Sequence, residues 1–254
     1  MNKVLICGKG GSGKSTLAVL VARQLQSTGR RVLLLDADES NQGLHRLLGV
    51  APPVPLLAHL GGKAGLRRKS APDFPGAPAR AIFPSPLGIA DLPPDCLAGG
   101  DGLHLAVVGK IEHFAEGCAC PMGDLTRQLL KALRLAGDET VLVDTAAGVE
   151  HFGRRIDGLC DRVLAVVDPT FQSFDLLRRI RALAAEAQRP LAAVLNKATP
   201  EVVDLMRRQA GEIPVAAVIP NDPRLFADSL EGRPLGGAPA QISAIGDHLT
   251  EEAP

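Results

Sequence analysis

An α/β architecture is the fold class this sequence predicts: a doubly wound, mostly parallel sheet of about seven or eight strands flanked by helices. Three observations predict it. Short apolar runs of Val, Leu and Ala recur along the chain and scarcely alternate with polar residues. Segments with helical spacing separate most of them. A glycine-rich stretch, GKGGSGKST (8–16), lies between the first apolar run and the first helical segment. Strands buried on both faces read as continuous apolar runs, and strand–helix alternation closes into a parallel sheet through right-handed crossovers.

The apolar runs are VLIC (4–7), VLLLDAD (32–38), LHLAVVG (103–109), TVLVDT (140–145), VLAVVD (163–168), LAAVLN (191–196) and VAAVIP (215–220). The helical segments are 15–28, 122–136, 173–188, 200–210 and 222–230. Residues 51–100 break the pattern. They hold half of the chain's 20 prolines, many glycines and the cluster Arg67-Arg68-Lys69. They read as an irregular excursion with room for one short helix or a hairpin, and with too little apolar sequence to bury a core of their own. Residues 1–254 are therefore expected to form a single domain. The basic cluster reads as a solvated face, with partner docking as the alternative.

Composition narrows the function. The chain has 254 residues, enough for one large α/β core. Lys plus Arg and Asp plus Glu both number 28, so no global charge points to nucleic acid or a membrane as partner. The absence of Trp and Tyr argues against an aromatic-rich carbohydrate or single-strand surface. No apolar run reaches membrane-spanning length, and the N-terminus runs from a strand into a glycine loop rather than reading as a signal peptide. Five cysteines without a pairing framework suit a reduced, cytoplasmic protein.

The stretch 8–16 carries the chemistry. Gly8, Gly10, Gly11 and Gly13, with Ser12 between them, let backbone N–H groups turn inward around phosphate oxygens. Lys14 is placed to reach the β- and γ-phosphates and Ser15 to offer a hydroxyl to Mg2+, and Thr16 completes the motif. The helix that follows adds its positive N-terminal end. This is a P-loop, and it implies ATP or ADP with Mg2+. Asp144 ends TVLVDT, where a carboxylate faces the magnesium from the next strand; a turn cap is the alternative. Gly148 follows, its backbone placed to sense the γ-phosphate. Asp36 and Asp38 end VLLLDAD. Asp38 is the candidate to orient the attacking water and Asp36 to stand nearer the magnesium, against capping of the next helix. Asn196 and Lys197, with Pro220 and Asp222 at the end of the last apolar run, are candidates to meet the nucleotide base at the sheet's C-terminal edge.

That frame leaves Lys9 unexplained. GKGGSGKST with its early lysine resembles the deviant Walker A motif of the MinD/ParA/nitrogenase-iron-protein class of P-loop ATPases. The resemblance implies that Lys9 reaches across a homodimer interface to the partner's nucleotide, a charge supplied in trans as an arginine finger supplies one. The alternative is a solvated loop lysine. GKIEHFAEGCACP (109–121), DTAAGVEHFGR (144–154), LLLDADESNQGL (33–44), LGGKAG (60–65) and VLNK (194–197) resemble segments of the CooC-type nickel-insertion ATPases of carbon monoxide dehydrogenase maturation. Thr145 and Ala146 depart from the DMEAG that this resemblance leads one to expect. It further implies Cys118 and Cys120 as metal thiolates and the carbon monoxide dehydrogenase apo-enzyme as partner.

A thiolate suits Zn2+, Cu+, Ni2+ or an iron–sulfur cluster. One Cys-x-Cys pair supplies two sulfurs, whereas a closed site wants four. Two chains meeting symmetrically would bring four, making a dimer-bridging site for Ni2+ or Zn2+. Two unligated thiols are the alternative. Cys7 and Cys160 read as core residues, Cys96 stays open, and His113 and His151 read as surface histidines. Three other functions remain in view: a positioning ATPase cycling on membrane or DNA, an iron–sulfur carrier ATPase, and an amide ligase. The acidic tail AQISAIGDHLTEEAP lacks the basic helix that membrane or DNA cycling asks for.

Overall fold

A computed structural model describes residues 3–74, 77–110, 120–149 and 156–250. In it, eight strands form one sheet: β1 (Lys3–Gly8), β2 (Arg31–Ala37), β3 (Ala98–Gly100), β4 (Leu103–Val107), β5 (Glu139–Thr145), β6 (Arg162–Val167), β7 (Leu191–Ala198) and β8 (Val215–Pro220). Their spatial order is β3-β4-β2-β5-β1-β6-β7-β8, and every neighbouring pair is parallel except β3–β4. From β1 the chain builds outward to β2 and β4 on one side and later to β6, β7 and β8 on the other. The loop after β1 therefore lies where the strand order reverses, the place where sheets of this kind bind ligands.

The helices are α1 (Lys14–Ser27), α2 (Leu44–Leu48), α3 (Leu56–His59), α4 (Gly62–Ser70), α5 (Cys120–Ala132), α6 (Phe171–Glu186), α7 (Val203–Ala210), α8 (Pro223–Glu231) and α9 (Ile242–Thr250). Successive strand residues point to opposite faces. Leu5, Cys7, Leu33, Leu35, Val141 and Val143 join one core cluster, to which α5, α6 and α7 add Leu125, Leu129, Phe174, Leu177 and Met206. Val4, Ile6, Val32, Leu34 and Leu142 join the other, with Leu17, Val21, Leu44, Ile245 and Leu249 from α1, α2 and α9. Both faces are covered, which is why the strands read as unbroken apolar runs.

Two local expectations need correction, and one helix was not foreseen. The segment 51–100 holds more than one short helix or a hairpin: it contains α3, α4, two 3-10 turns (Ile89–Asp91 and Pro94–Cys96) and the edge strand β3. Its Leu56, Leu66, Leu87, Ile89 and Cys96 bury themselves in the core cluster of β1 and β2, so borrowed packing supports what its own sequence could not. Helix α5 stops at Ala132 rather than running to 136, because the next residues turn aside to pair with Leu87. Leu87 N donates to Ala132 O, and Arg134 N donates to Leu87 O at 2.9 Å. The acidic tail forms α9, whose Ile242, Ile245 and Leu249 recur at helical spacing and are buried. Among the described residues no helix is long and apolar enough to cross a membrane.

Two-face burial has a measurable consequence. Leu34 is wholly buried on β2. Leu34→Ala should cost about 2–5 kcal/mol in urea unfolding, as large-to-small changes in a packed core do. A loss below about 1 kcal/mol would show that the helices do not cover that face.

Candidate functional site

The site begins at the turn from β1 into α1. Gly13 caps α1 in the left-handed region, φ 98°, and, having no side chain, gives the helix no side-chain cap. The first N–H groups of a helix lack partners within it and suit an anion. A Cβ on Gly13 would come within 2.3 Å of Asn196 Nδ2, and one on Gly8 within 2.3 Å of the Val166 carbonyl, so both positions exclude a side chain. Ser12 N donates to Lys9 O at 3.1 Å and closes the loop. Lys14 is buried and its Nζ donates to Lys9 O at 3.2 Å, which keeps the ammonium inside the loop.

Parallel register brings the acidic residues to this turn. Asp36 on β2 lies beside Asp144 on β5, and Asp144 lies next to Ile6 of β1. Ser15 Oγ donates to Asp144 Oδ2 at 2.6 Å, and Asn41 Nδ2 donates to Ser15 Oγ at 2.8 Å. Asp144 is completely buried, and its Oδ1 has no hydrogen-bond partner among the described residues. Burial pushes its carboxyl up to about 7. The nearby Asp36 and Asp38 charges push the same way, and the Ser15 bond and Lys14 oppose them. A buried carboxylate oxygen without a donor, next to a serine hydroxyl, fits a hard divalent cation.

Asp36 is held from the other side. Lys110 Nζ donates to Asp36 Oδ2 at 2.7 Å and to Asp38 O at 2.6 Å, while Asp38 N donates to Asp36 Oδ1 at 3.2 Å. Burial raises the Asp36 carboxyl to about 6 against the pull of Lys110. Asp38 Oδ1 accepts from Ser40 N, Ser40 Oγ and Asn41 N at 2.9, 2.6 and 3.3 Å, so one oxygen holds the turn before α2. Asp38 also lines the cavity above the P-loop.

Lys9 has a partner within its own chain. Its Nζ is 3.1 Å from Asp168 Oδ2. The other oxygen of Asp168 accepts from Thr170 Oγ1 at 2.8 Å and from Ser173 Oγ. Burial alone would raise the Asp168 carboxyl, but the bonds from Ser173, Thr170 and Lys9 hold it below the usual range.

The cavity has a volume of about 580 Å3. Lys14, Ser15 and Thr16 line its floor, Asp38 and Asn41 one side, and Asn196, Lys197, Pro220 and Asp222 another. Two of the expected base contacts serve the P-loop instead: Asn196 Nδ2 donates to Ser12 O at 2.8 Å, and Lys197 Nζ donates to Gly11 O at 2.7 Å. Asp222 caps α8 by accepting from Arg224 N at 2.8 Å. The Gly148 N–H donates to Gly8 O at 3.3 Å, so the loop after β5 rests on the P-loop. Cys7 and Cys160 are buried, and burial pushes both thiols up to about 12. Cys118, His113 and His151 lie outside the described residues, and Cys120 opens α5.

The sequence profile of the CobQ/CobB/MinD/ParA nucleotide binding domain matches residues 3–235. The chain belongs to this family. It is an ATP-binding P-loop ATPase. An uncharacterized ATP-binding protein of Methanocaldococcus jannaschii is 38% identical over 249 residues, covering 98% of this chain and all of the relative. The carbon monoxide dehydrogenase accessory protein CooC of Rhodospirillum rubrum is 30% identical over 233 residues, covering 91% of this chain and 88% of the relative. The septum site-determining protein MinD of Pyrococcus horikoshii, solved with Mg-ADP, superposes with a TM-score of 0.65 at 16% identity, covering 98% of this chain and 95% of that one.

Seen as an ATPase of this family, the chain shows functional side chains that sequence reasoning missed. Asp168 closes the run VLAVVD beside the P-loop strand, and its place at a strand's C-terminal end was an available signal. Lys110 and Asn41 carry no local signal, because only the fold brings them to Asp36 and Ser15. Leu225 and Phe226 of α8 also line the nucleotide cavity; α8 has no buried residue, and its apolar side chains can face a purine.

Asp144 yields a pH test. Its folded carboxyl binds a proton more tightly than an unfolded aspartate, whose pKa is about 4. Without Mg2+ and nucleotide this contribution is therefore lost as pH rises from about 4 through 7. Asp144→Asn should therefore gain stability steadily relative to wild type over that window. It should also lose Mg2+-dependent ATP turnover. Urea unfolding at several pH values in chelator provides the check, and a difference that does not grow with pH would reject the account.

Proposed function

We propose that the chain is a CooC-type ATPase: a nucleotide-dependent homodimer that takes metal at Cys118 and Cys120 and assists nickel insertion into a carbon monoxide dehydrogenase. The identity to CooC over nine-tenths of the chain is the observation that carries this reading. The Cys-x-Cys pair in the segment GKIEHFAEGCACP supports it, because two thiolates from each of two chains suit a nickel or zinc cargo.

The P-loop geometry supplies the ATPase half. Backbone N–H groups from Gly10 to Ser15 and the uncapped start of α1 cradle the phosphates, and Lys14 turns from the Lys9 carbonyl to the β- and γ-phosphates. Ser15 and Asp144 would hold Mg2+, with Asp36 behind them; the ion's chemistry is to neutralise charge between the β- and γ-phosphates. Asp38 holds the attacking water on the γ-phosphate side and takes up part of its proton's charge as the bond to the β-phosphate breaks. Gly148 rides on Gly8 and so can register whether the γ-phosphate is present. Pro220 and Asp222 frame the base end.

Lys9 has to leave Asp168 to act in trans. Its side chain is 31% exposed, and partly exposed pairs are worth about 0–1 kcal/mol, so exchange for phosphoryl charge costs little. Mixed dimers test this. Lys9→Ala and Lys14→Ala should each be inactive as homodimers, yet together they form one composite site with both lysines intact. ATP turnover should return in the mixture; none returning would place the role of Lys9 within its own chain.

Metal analysis tests the cargo site. Cys118→Ser and Cys120→Ser should each bind about one metal fewer per dimer than wild type, since the remaining thiolates cannot complete four-sulfur coordination. Metal and a non-hydrolysable ATP analogue should each strengthen the dimer, and each then raises the other's affinity. Unchanged nickel and zinc content in both variants would sink the reading. A positioning role, favoured by the fold shared with MinD, would instead show ATP-dependent co-sedimentation with anionic vesicles or DNA.

A further inference from the structure

The last residue of α3 and the 3-10 turn Pro94–Cys96 bring three metal-ligand side chains together, well apart from the P-loop in sequence. A ring nitrogen of His59, a carboxylate oxygen of Asp95 and the Cys96 sulfur lie within 4.8 Å of one another. His59 Nδ1 is 3.1 Å from Asp95 Oδ2. The frame beneath them is fixed by the backbone. Val54 N donates to Asp95 O at 2.8 Å, Cys96 N to Pro93 O at 2.9 Å, and Leu57 N to Val108 O at 2.9 Å. The residue just after β4 therefore anchors α3, and the residues leading into α3 anchor the turn. Cys96 is fully buried, whereas the His59 and Asp95 side chains are 37% and 51% exposed. A sulfur held rigidly by the core thus sits beneath two donors that solvent can reach.

We propose that His59, Asp95 and Cys96 form a binding site for a borderline divalent transition metal of the Zn2+ class, independent of Cys118 and Cys120. A nitrogen, oxygen and sulfur donor set disfavours Mg2+ and Ca2+, which bind through oxygen, and suits Zn2+, Co2+ and Ni2+. Ligand bonds of about 2.0–2.3 Å place donor atoms about 3–4 Å apart around a tetrahedral ion. The His59–Asp95 separation is already in that range, and the sulfur needs a side-chain adjustment of roughly 1 Å or less. Three protein ligands leave a fourth position for water. The exposed His59 and Asp95 side chains leave that water and an entering ion an approach from solvent. Bound metal staples α3 to the turn across the stretch 51–100, where regular hydrogen bonding is sparse.

The test uses the full chain carrying Cys118→Ser and Cys120→Ser, stripped with chelator and titrated with Co2+. Cobalt bound to a thiolate gives a near-ultraviolet sulfur-to-metal charge-transfer band. The expected result is one Co2+ per chain with that band, displacement by Zn2+, and a higher melting temperature with Zn2+. Adding Cys96→Ser should abolish the band. Adding His59→Gln, on a partly exposed side chain, should weaken binding at least about tenfold while ATP binding stays intact. If Cys96→Ser does not fold, the His59→Gln variant decides. A chain without Cys118 and Cys120 that shows no sulfur band overturns the proposal, as does a band that His59→Gln leaves unchanged. The nickel-cargo reading can fail without altering this result, because its cysteines are absent from the test protein.

Discussion

The hydrogen bond from Ser15 to Asp144 is the joint on which the rest of the site depends. It requires the P-loop to end in a helix whose first turn faces β5, and it requires β5 to end level with β1. Both requirements are met by the parallel sheet, whose central strands share one register and one set of C-terminal ends. Asn41 tightens the joint from the β2 side, so groups from the ends of β2 and β5 converge on one hydroxyl. The bond also places an ionisable group where water does not reach. The site is therefore built at a cost, and a cation and a phosphate are what relieve it.

Asp36 forms a second joint. Its carboxylate holds Lys110, which also binds the Asp38 carbonyl. Lys110 opens GKIEHFAEGCACP at its second residue, so the carboxylates near the phosphates and the segment bearing the paired cysteines share one ion pair. The connection is short and buried, and buried pairs are felt strongly when one member is disturbed.

What could be read from the sequence was what spacing alone decides. Seven strands showed themselves because both faces of each are buried, and Lys14, Ser15 and Gly13 because their roles are fixed by position within one loop. Strand β3 did not, since Ala98–Gly100 offers three small residues and no pattern. Helix α9 was hidden by acidic neighbours that mask three apolar residues at helical spacing. Asp168, Lys110 and Asn41 act through partners far away in the chain, and no window of sequence contains both halves of such a pair. Asn196 shows the converse limit. Its position at a strand end was read correctly, but the amide turns to the Ser12 carbonyl, because Gly13 leaves the room for it.

The edges of the sheet limit how copies of this protein can meet. Strand β3 runs against its neighbour, spans three residues, and includes Gly99, where a Cβ would fall 2.4 Å from the Leu103 carbonyl. At the other edge the β7–β8 pairing slips its register twice. Neither border offers a long, flat row of free N–H and C=O groups to an incoming strand. Self-association by sheet extension, with its slide toward fibrils, is thereby discouraged. The loop-bearing end of the sheet, by contrast, carries the P-loop and the cavity above it.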